Sequence, residues 1–347
     1  MIENSLLSDR NKTLIRHFLA QYAIVIAFVV LFTAMSIARP EHFLSVRNML
    51  NILRQTAVIG ILGLSMTLVL LTGGIDLSVG STVALAGVIS AYLAAPGGPA
   101  MARAGFAHVE GMTEILAMQA TLPYIFPILG AMAVGALVGL VNGFFVAKGG
   151  VPAFIVTMGM MTIVRGVALI VSRGGQLPYL TDSFREIGRG DFLNIPYMAI
   201  YFMVLIVIVT FILKNTAFGR HVYAVGGNET AANVSGINVA RTKILVYVIA
   251  GTLAGISGML LTARTSVGSP QSGVGYELDA IASCVIGGVS LSGGVGSVFG
   301  AVIGVMFIAV MNNGMDMIGV NLYYQQIIKG SIVILAVLFD VMSRKKK

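Results

Sequence analysis

The chain has 347 residues, 57% of them hydrophobic and only 10% charged, with a mean hydropathy of +0.92. A soluble chain of this length needs far more charge to cover its surface, so the composition excludes an ordinary water-exposed domain and points to a lipid solvent. The formal charge of +8 sits at the two ends and between apolar runs, where it reads as membrane topology and not as a nucleic-acid surface. A single cysteine, Cys284, excludes an internal disulfide framework, and His17, His42, His108 and His221 have no ligand-like spacing. No metal, cofactor or catalytic residue is expected.

Crossing the hydrocarbon core takes roughly 20 apolar residues in a helix. Runs of that kind fall at 20–38, 50–72, 78–95, 125–147, 153–171, 197–213, 244–263, 276–289, 297–315 and 326–342. They predict an all-α polytopic membrane protein of about ten transmembrane helices in one domain spanning 1–347. The first run is long enough to span and is followed by Arg39 and Pro40, so it reads as a membrane helix and not as a cleaved leader. Three polar stretches flank or divide this domain: an N-terminal tail at 1–19, a loop at 214–243 and a basic tail at 343–347. With all ten runs spanning, twelve Lys and Arg fall on the side of both termini, against eight on the other. The positive-inside bias then places both termini and the 214–243 loop in the cytoplasm. Residues 96–124, with Glu110 and Glu114, fall on the opposite face.

Two segments look like copies of one another. Gly73-Gly74-Ile75-Asp76-Leu77-Ser78 resembles Gly287-Gly288-Val289-Ser290-Leu291-Ser292, and each follows an apolar run. Further on, Asn142-Gly143 echoes Asn313-Gly314. Paired Gly-rich interruptions in a transporter mark discontinuous helices around the pathway, so an internal repeat with Gly-rich helix breaks is expected. Freed backbone groups at such breaks must meet protein or water, never lipid.

Few residues carry chemistry. Asp76 lies between two apolar runs and either ties the Gly-rich break to a neighbouring helix or faces the pathway, or else caps the helix that begins near Leu77. Arg165 and Lys329 fall inside or near apolar runs and call for pairing partners. Asn142, Asn312 and Asn313 suit hydrogen bonds between helices, or contacts to sugar hydroxyls. In the 214–243 loop, Asn228 is a good N-cap with Glu229 behind it, and Gly236 is a suitable left-handed terminus for a short helix over 230–235. That helix is either a docking element for a partner or a plain surface turn. Three glycine patterns, Gly135-x-x-x-Gly139-x-x-x-Gly143, Gly251-x-x-x-Gly255 and Gly300-x-x-x-Gly304, predict close helix contacts. No G-x-x-x-x-G-K-[ST] is present, so no ATP site of that type exists in the chain.

Five blocks in order carry a family resemblance: LSMTLVLLTGGIDLSVGS at 64–81, NGFFVAKGGVPAFIVTMGMMTIVRG at 142–166, FGRHVYAVGGNETAANVSGINVARTKILVY at 218–247, GYELDAIASCVIGGVSLSGGVGSVFGA at 275–301 and NNGMDMIGVNLYYQQIIKG at 312–330. The chain resembles the permeases of ribose-, xylose- and galactose-type bacterial ABC importers. The resemblance implies an inner-membrane permease working with an ATP-binding subunit, a periplasmic sugar-binding protein and a second permease copy. It implies coupling to the ATPase through the 218–241 loop, with Glu229, Ala231, Ala232 and Gly236 docking and Asn228 and Ser235 flanking them. It implies a pathway lined or flanked by Gly73, Gly74, Asp76, Ser78, Asn142, Gly287, Gly288, Ser290 and Asn313. Binding-protein contact is expected at 39–49, 96–124 and 264–275. The competing reading is a stand-alone ion-coupled secondary transporter, which needs intramembrane ionisable groups beyond Asp76, Arg165 and Lys329.

Overall fold

The computed structural model describes residues 24–96 and 122–344. The expected N-terminal tail at 1–19, most of the 96–124 segment with Glu110 and Glu114, and the basic tail beyond Arg344 lie outside the described residues. The described chain is mostly helical. Its elements in order are α1 (Ile24–Ala38), α2 (Pro40–Phe43), α3 (Val46–Leu71), α4 (Val79–Ala94), α5 (Ile125–Ala147), α6 (Ala153–Val171) and α7 (Asp182–Arg189). A two-stranded antiparallel ribbon follows, β1 (Asp191–Phe192) with β2 (Ile195–Pro196). Then come α8 (Tyr197–Asn215), α9 (Ala217–Gly227), α10 (Glu229–Val234), α11 (Val239–Thr265), α12 (Tyr276–Ile286), α13 (Val298–Met317) and α14 (Leu322–Arg344).

Among the described residues each of the ten apolar runs falls on a helix, but a count of ten crossings does not follow. Among the described residues six helices are long and apolar enough to cross a membrane: α3, α5, α6, α8, α11 and α13. The run at 276–289 yields only the 11 residues of α12, which rise about 16 Å and reach only halfway through a core of about 30 Å. At α4 the 16 helical residues rise about 24 Å.

The long helix α11 is the hub. It packs against α5, α4 and α3, and glycine makes the approaches to α5 and α4 close. Along the α5 seam, Ala131 meets Gly255, Gly135 meets Gly251, Gly139 meets the Tyr247 backbone and Gly143 meets Ile244. A Cβ at Gly135, Gly139, Gly251 or Gly255 would strike a facing carbonyl. The predicted glycine patterns on these two helices therefore face each other. Gly300 and Gly304 do the same for α13, lying on the Gly287 and Ser283 carbonyls of α12. Polar side chains reinforce the hub: the Ser65 hydroxyl donates to the Ala250 carbonyl at 2.9 Å, and that of Ser257 to the Val58 carbonyl at 3.0 Å. By contrast α6 and α8 present Ile163, Ile170, Met203, Val207 and Phe211 outward, as lipid-facing helices do.

Because this seam is backbone on backbone, no rotamer change relieves an added side chain. Gly139→Leu is expected to leave little folded protein in detergent, whereas Gly159→Leu, at a glycine with open space around it, should elute as the wild type does. Fluorescence-detected gel filtration of tagged chains decides this, and equal profiles would refute the seam.

Candidate functional site

The site grows from the end of α3. There the backbone closes with the Gly73 N–H on the Leu70 carbonyl at 2.8 Å and the Gly74 N–H on the Val69 carbonyl at 3.1 Å. This is a Schellman cap, and Gly73 supplies its left-handed residue at φ 75°. The end of α12 closes in the same way, with Gly288 to Val285 and Val289 to Cys284, both at 2.9 Å, and Gly288 at φ 82°. Each cap runs into a side-chain turn: Asp76 Oδ1 accepts from the Ser78 N–H at 2.8 Å, and Ser290 Oγ from the Ser292 N–H at 3.0 Å. The two segments thus use the same two devices, but the left-handed glycine is the first of its pair in one and the second in the other. This likeness is local and does not extend to the asparagines discussed next.

Asp76 is buried, and its Oδ1 also accepts from the Ser78 hydroxyl at 2.6 Å. Asn142 reaches across from α5, donating to Ser78 Oγ at 2.9 Å and lying 3.5 Å from Asp76 Oδ1. Two further hydroxyls hold the neighbouring Ile75 carbonyl, Thr157 from α6 at 3.2 Å and Tyr247 from α11 at 3.4 Å. The Asp76 turn is thus tied to three helices. Ser78 and not Asp76 stands at the N-cap position, since α4 begins at Val79. Asp76 caps nothing directly; it shapes the turn that leads into the helix. Asn142 keeps one buried carbonyl oxygen without a partner.

Asn313 is elsewhere. It exchanges two hydrogen bonds with Asn48, at 3.0 and 2.8 Å, joining α13 to the start of α3, so the echo of Asn142 in sequence is not an equivalence in space. Lys329 pairs with the buried Asp279 at 3.1 Å, and Arg165 donates to backbone carbonyls of the 266–275 segment, so both have structural partners.

The 214–243 loop folds as α9, α10 and the first turn of α11. Asn228 Oδ1 accepts from the Ala231 N–H at 2.9 Å, and Gly236, at φ 84°, ends α10. The structured helix starts at Glu229, one residue before the expected 230–235. Ala232 is buried, while Asn228, Glu229, Ala231, Ser235 and Gly236 are exposed. Val234 is 84% exposed, an unpartnered apolar side chain on an otherwise polar element. Glu229 pairs with Lys243 at 2.7 Å, but more than half of its side chain is open, and such pairs contribute only about 0.2–1 kcal/mol. Beside this helix lies a cavity of about 750 Å³, lined by Glu229, Thr230, Asn233, Gly236 and Ala147.

Sequence reading did not find the joint between these parts. Gly226, at the end of α9, lies against the Leu71 carbonyl and the Gly294 N–H, and that N–H donates to the same Leu71 carbonyl at 2.9 Å. Gly293, at φ 85°, faces Gly226 and Gly73 so closely that a Cβ there would stand 2.7 Å from the Gly226 carbonyl and 2.8 Å from the Gly73 nitrogen. Tyr223 adds a hydroxyl donor to the Gly296 carbonyl at 3.0 Å; burial raises its phenol above the ordinary range, so it stays a neutral donor. Both Gly-rich segments and the 214–243 loop therefore meet at one backbone junction. The signal was the Gly226-Gly227 pair before Asn228, but no pattern named its partners.

Comparison with known proteins gives the family. Residues 48–337 match the family described as "Branched-chain amino acid transport system / permease component". The chain belongs to this permease family. Its relatives span it nearly end to end. It is 39% identical to a ribose import permease protein of Haemophilus influenzae, over 96% of this chain and 97% of the relative. It is 38% identical to an L-arabinose ABC transporter permease protein of Azospirillum brasilense, over 93% and 88%. It is also 38% identical to a galactose/methyl galactoside import permease protein of Haemophilus influenzae, over 98% of each. No solved structure gives a significant match.

The junction leaves no room for a side chain at Gly226. Gly226→Ala is expected to lower unfolding stability in detergent by about 1–3 kcal/mol, the usual cost of overpacking. Asn142→Leu, which withdraws the donors to Ser78 and Asp76, should lose about 1–3 kcal/mol as well. Gly227→Ala, with open space around it, should change little. Thermal unfolding of the three variants measures this, and an unchanged midpoint for Gly226→Ala would remove the junction as a rigid joint.

Proposed function

We propose that this chain is the membrane-spanning subunit of an ATP-driven importer that moves a monosaccharide from a periplasmic binding protein to the cytoplasm. The family match over 48–337 carries the reading. The sugar class rests on the full-length relatives, which are named for ribose, L-arabinose and galactose import, against a family description that names branched-chain amino acids. Coverage above nine-tenths of this chain by those sugar permeases is the reason to prefer a sugar.

In this reading the protein sits in a bacterial inner membrane with both termini and the 214–243 loop in the cytoplasm, as the distribution of Lys and Arg favours. Energy comes from a separate ATP-binding subunit, and a second permease copy completes the pathway. The α10 helix docks on the ATPase. What supports this is an exposed, well-capped two-turn element with an open carboxylate at Glu229 and an open apolar side chain at Val234. The Gly226 junction gives the docked helix a backbone connection to both Gly-rich segments, which flank the pathway together with the Asp76–Ser78–Asn142 cluster of the first. The two segments are read as halves of a duplicated, discontinuous-helix design. Nothing found in the chain favours ion coupling.

A double variant separates docking from folding. Val234→Asp with Glu229→Arg alters only exposed side chains, so insertion and detergent elution should match the wild type. The ATPase should no longer co-purify, and sugar uptake by cells carrying the whole importer should fall at least tenfold. Normal uptake with normal co-purification would reject α10 as the coupling element.

A further inference from the structure

The segment 264–275, expected to be a loop on the outer face, does not stay at the surface. It begins at the Thr265 end of α11, where Gly268 pairs with Leu177 in both directions, at 2.8 and 3.0 Å, and lies on Ala91 near the end of α4. Five residues later Gly273 lies against Gly80 and Val83, near the start of α4. From Ala91 to Gly80 is eleven residues of helix, a descent of about 16 Å. The hub helix fixes the depth independently: Val83 touches Gly258, seven residues inside the Thr265 end, and Gly80 lies nearly a turn deeper. The segment therefore reaches roughly the middle of a hydrocarbon core about 30 Å thick before α12 begins at Tyr276.

Non-helical backbone at that depth, here a run of turns over 270–275, needs its polar groups satisfied. Arg165 of α6 donates from Nη1 to the carbonyls of Pro270 and Ser272, the latter at 2.8 Å. Glu277 Oε1 accepts from the Gly275 N–H at 3.3 Å, and the Ser272 N–H bonds the Ser269 carbonyl at 3.1 Å. Left-handed glycines at 273 and 275 turn the chain into α12. These bonds hold the inner side of the segment. Its other side is open: Gln271 is exposed, Val274 is 64% exposed and Leu278 on the next turn is 47% exposed. The Gln271 amide makes no side-chain hydrogen bond among the described residues. A primary amide left bare in lipid costs several kcal/mol, so this face does not meet lipid.

We propose that residues 269–275 line the translocation pathway midway across the membrane, and that Gln271 and Ser272 hydrogen-bond the hydroxyls of an uncharged polyol in transit. The polyol part rests on the sugar reading above; the pathway part does not. Arg165 and Glu277 are positioning residues that hold the segment down. An amide and a hydroxyl offer both donors and acceptors without charge, which suits a neutral cargo that must leave again.

The test uses the full importer in right-side-out and inside-out vesicles, with buried Cys284 replaced by Ser. Single cysteines at Gln271 and Val274, and at lipid-facing Ile163 as control, are treated with a charged methanethiosulfonate, both at rest and in the vanadate-trapped state. Gln271→Cys and Val274→Cys are expected to react at least tenfold faster than Ile163→Cys in one of those states. Failure to react in either state, with labelling only by a lipid-soluble maleimide, would overturn the proposal. So would spontaneous Gln271→Cys cross-linking between two copies in both states, because the face would then be a subunit contact. Gln271→Ala should also lower uptake of radiolabelled ribose at least fivefold with the ATPase still co-purifying, and Gln271→Asn should restore part of it. Unchanged ribose uptake in Gln271→Ala would overturn the hydroxyl contact. If the wild-type importer ignores ribose, L-arabinose and galactose alike while the charged reagent still labels Gln271→Cys, the sugar assignment fails and the pathway stands.

Discussion

The structure depends on glycine backbones packed directly against α11. Lipid supplies no hydrophobic force to press helices together, so association must come from close van der Waals fit and occasional hydrogen bonds. The seam from Ala131 to Gly143 against Ile244 to Gly255 provides that fit along most of two long helices. It places Tyr247 and Asn142 at the same level, which is why a hydroxyl from α11 and an amide from α5 converge on the Ile75–Ser78 turn. Without the seam the polar cluster has no reason to exist, because its members come from helices far apart in sequence.

A second constraint follows from the first. Helices that pack this closely are joined to one another where chain segments meet end to end. The Leu71, Gly226 and Gly294 backbones make such a meeting point. It is built from three glycine-bearing turns because any side chain there would push the 214–243 loop off both Gly-rich segments. The Tyr223 hydroxyl adds a side-chain hydrogen bond to the Gly296 carbonyl beside it. A joint of this type is stiffer than a side-chain contact, since backbone has no rotamers to absorb displacement.

The non-helical backbone at 72–78 and at 269–275 is satisfied by different means. At 72–78 the chain saturates itself through a Schellman cap, an Asp76 side-chain turn and hydroxyls from Thr157 and Tyr247. At 269–275 a guanidinium takes the place of those hydroxyls, Arg165 reaching two carbonyls at once. The first arrangement closes around a buried core. The second leaves one face open, and that openness gives it a role beyond structure.

Much was legible in the sequence because local physics decides it. Apolar run length placed the helices, and the expected N-cap Asn228 with terminator Gly236 sits at the ends of α10, since a cap needs only the right residue at the right spacing. Glycine spacing marked which faces approach, as at Gly135 and Gly251. The tertiary structure decided what spacing does not encode. It sent 266–275 down into the membrane although its composition reads as a surface loop, because Arg165, a hundred residues away in the chain, satisfies its carbonyls. It cut α12 to 11 residues despite the apolar run. It joined Asn142 to Asp76 and sent its apparent counterpart Asn313 to Asn48, because partner choice depends on which helices the glycine seams bring together, and that is a property of the whole fold.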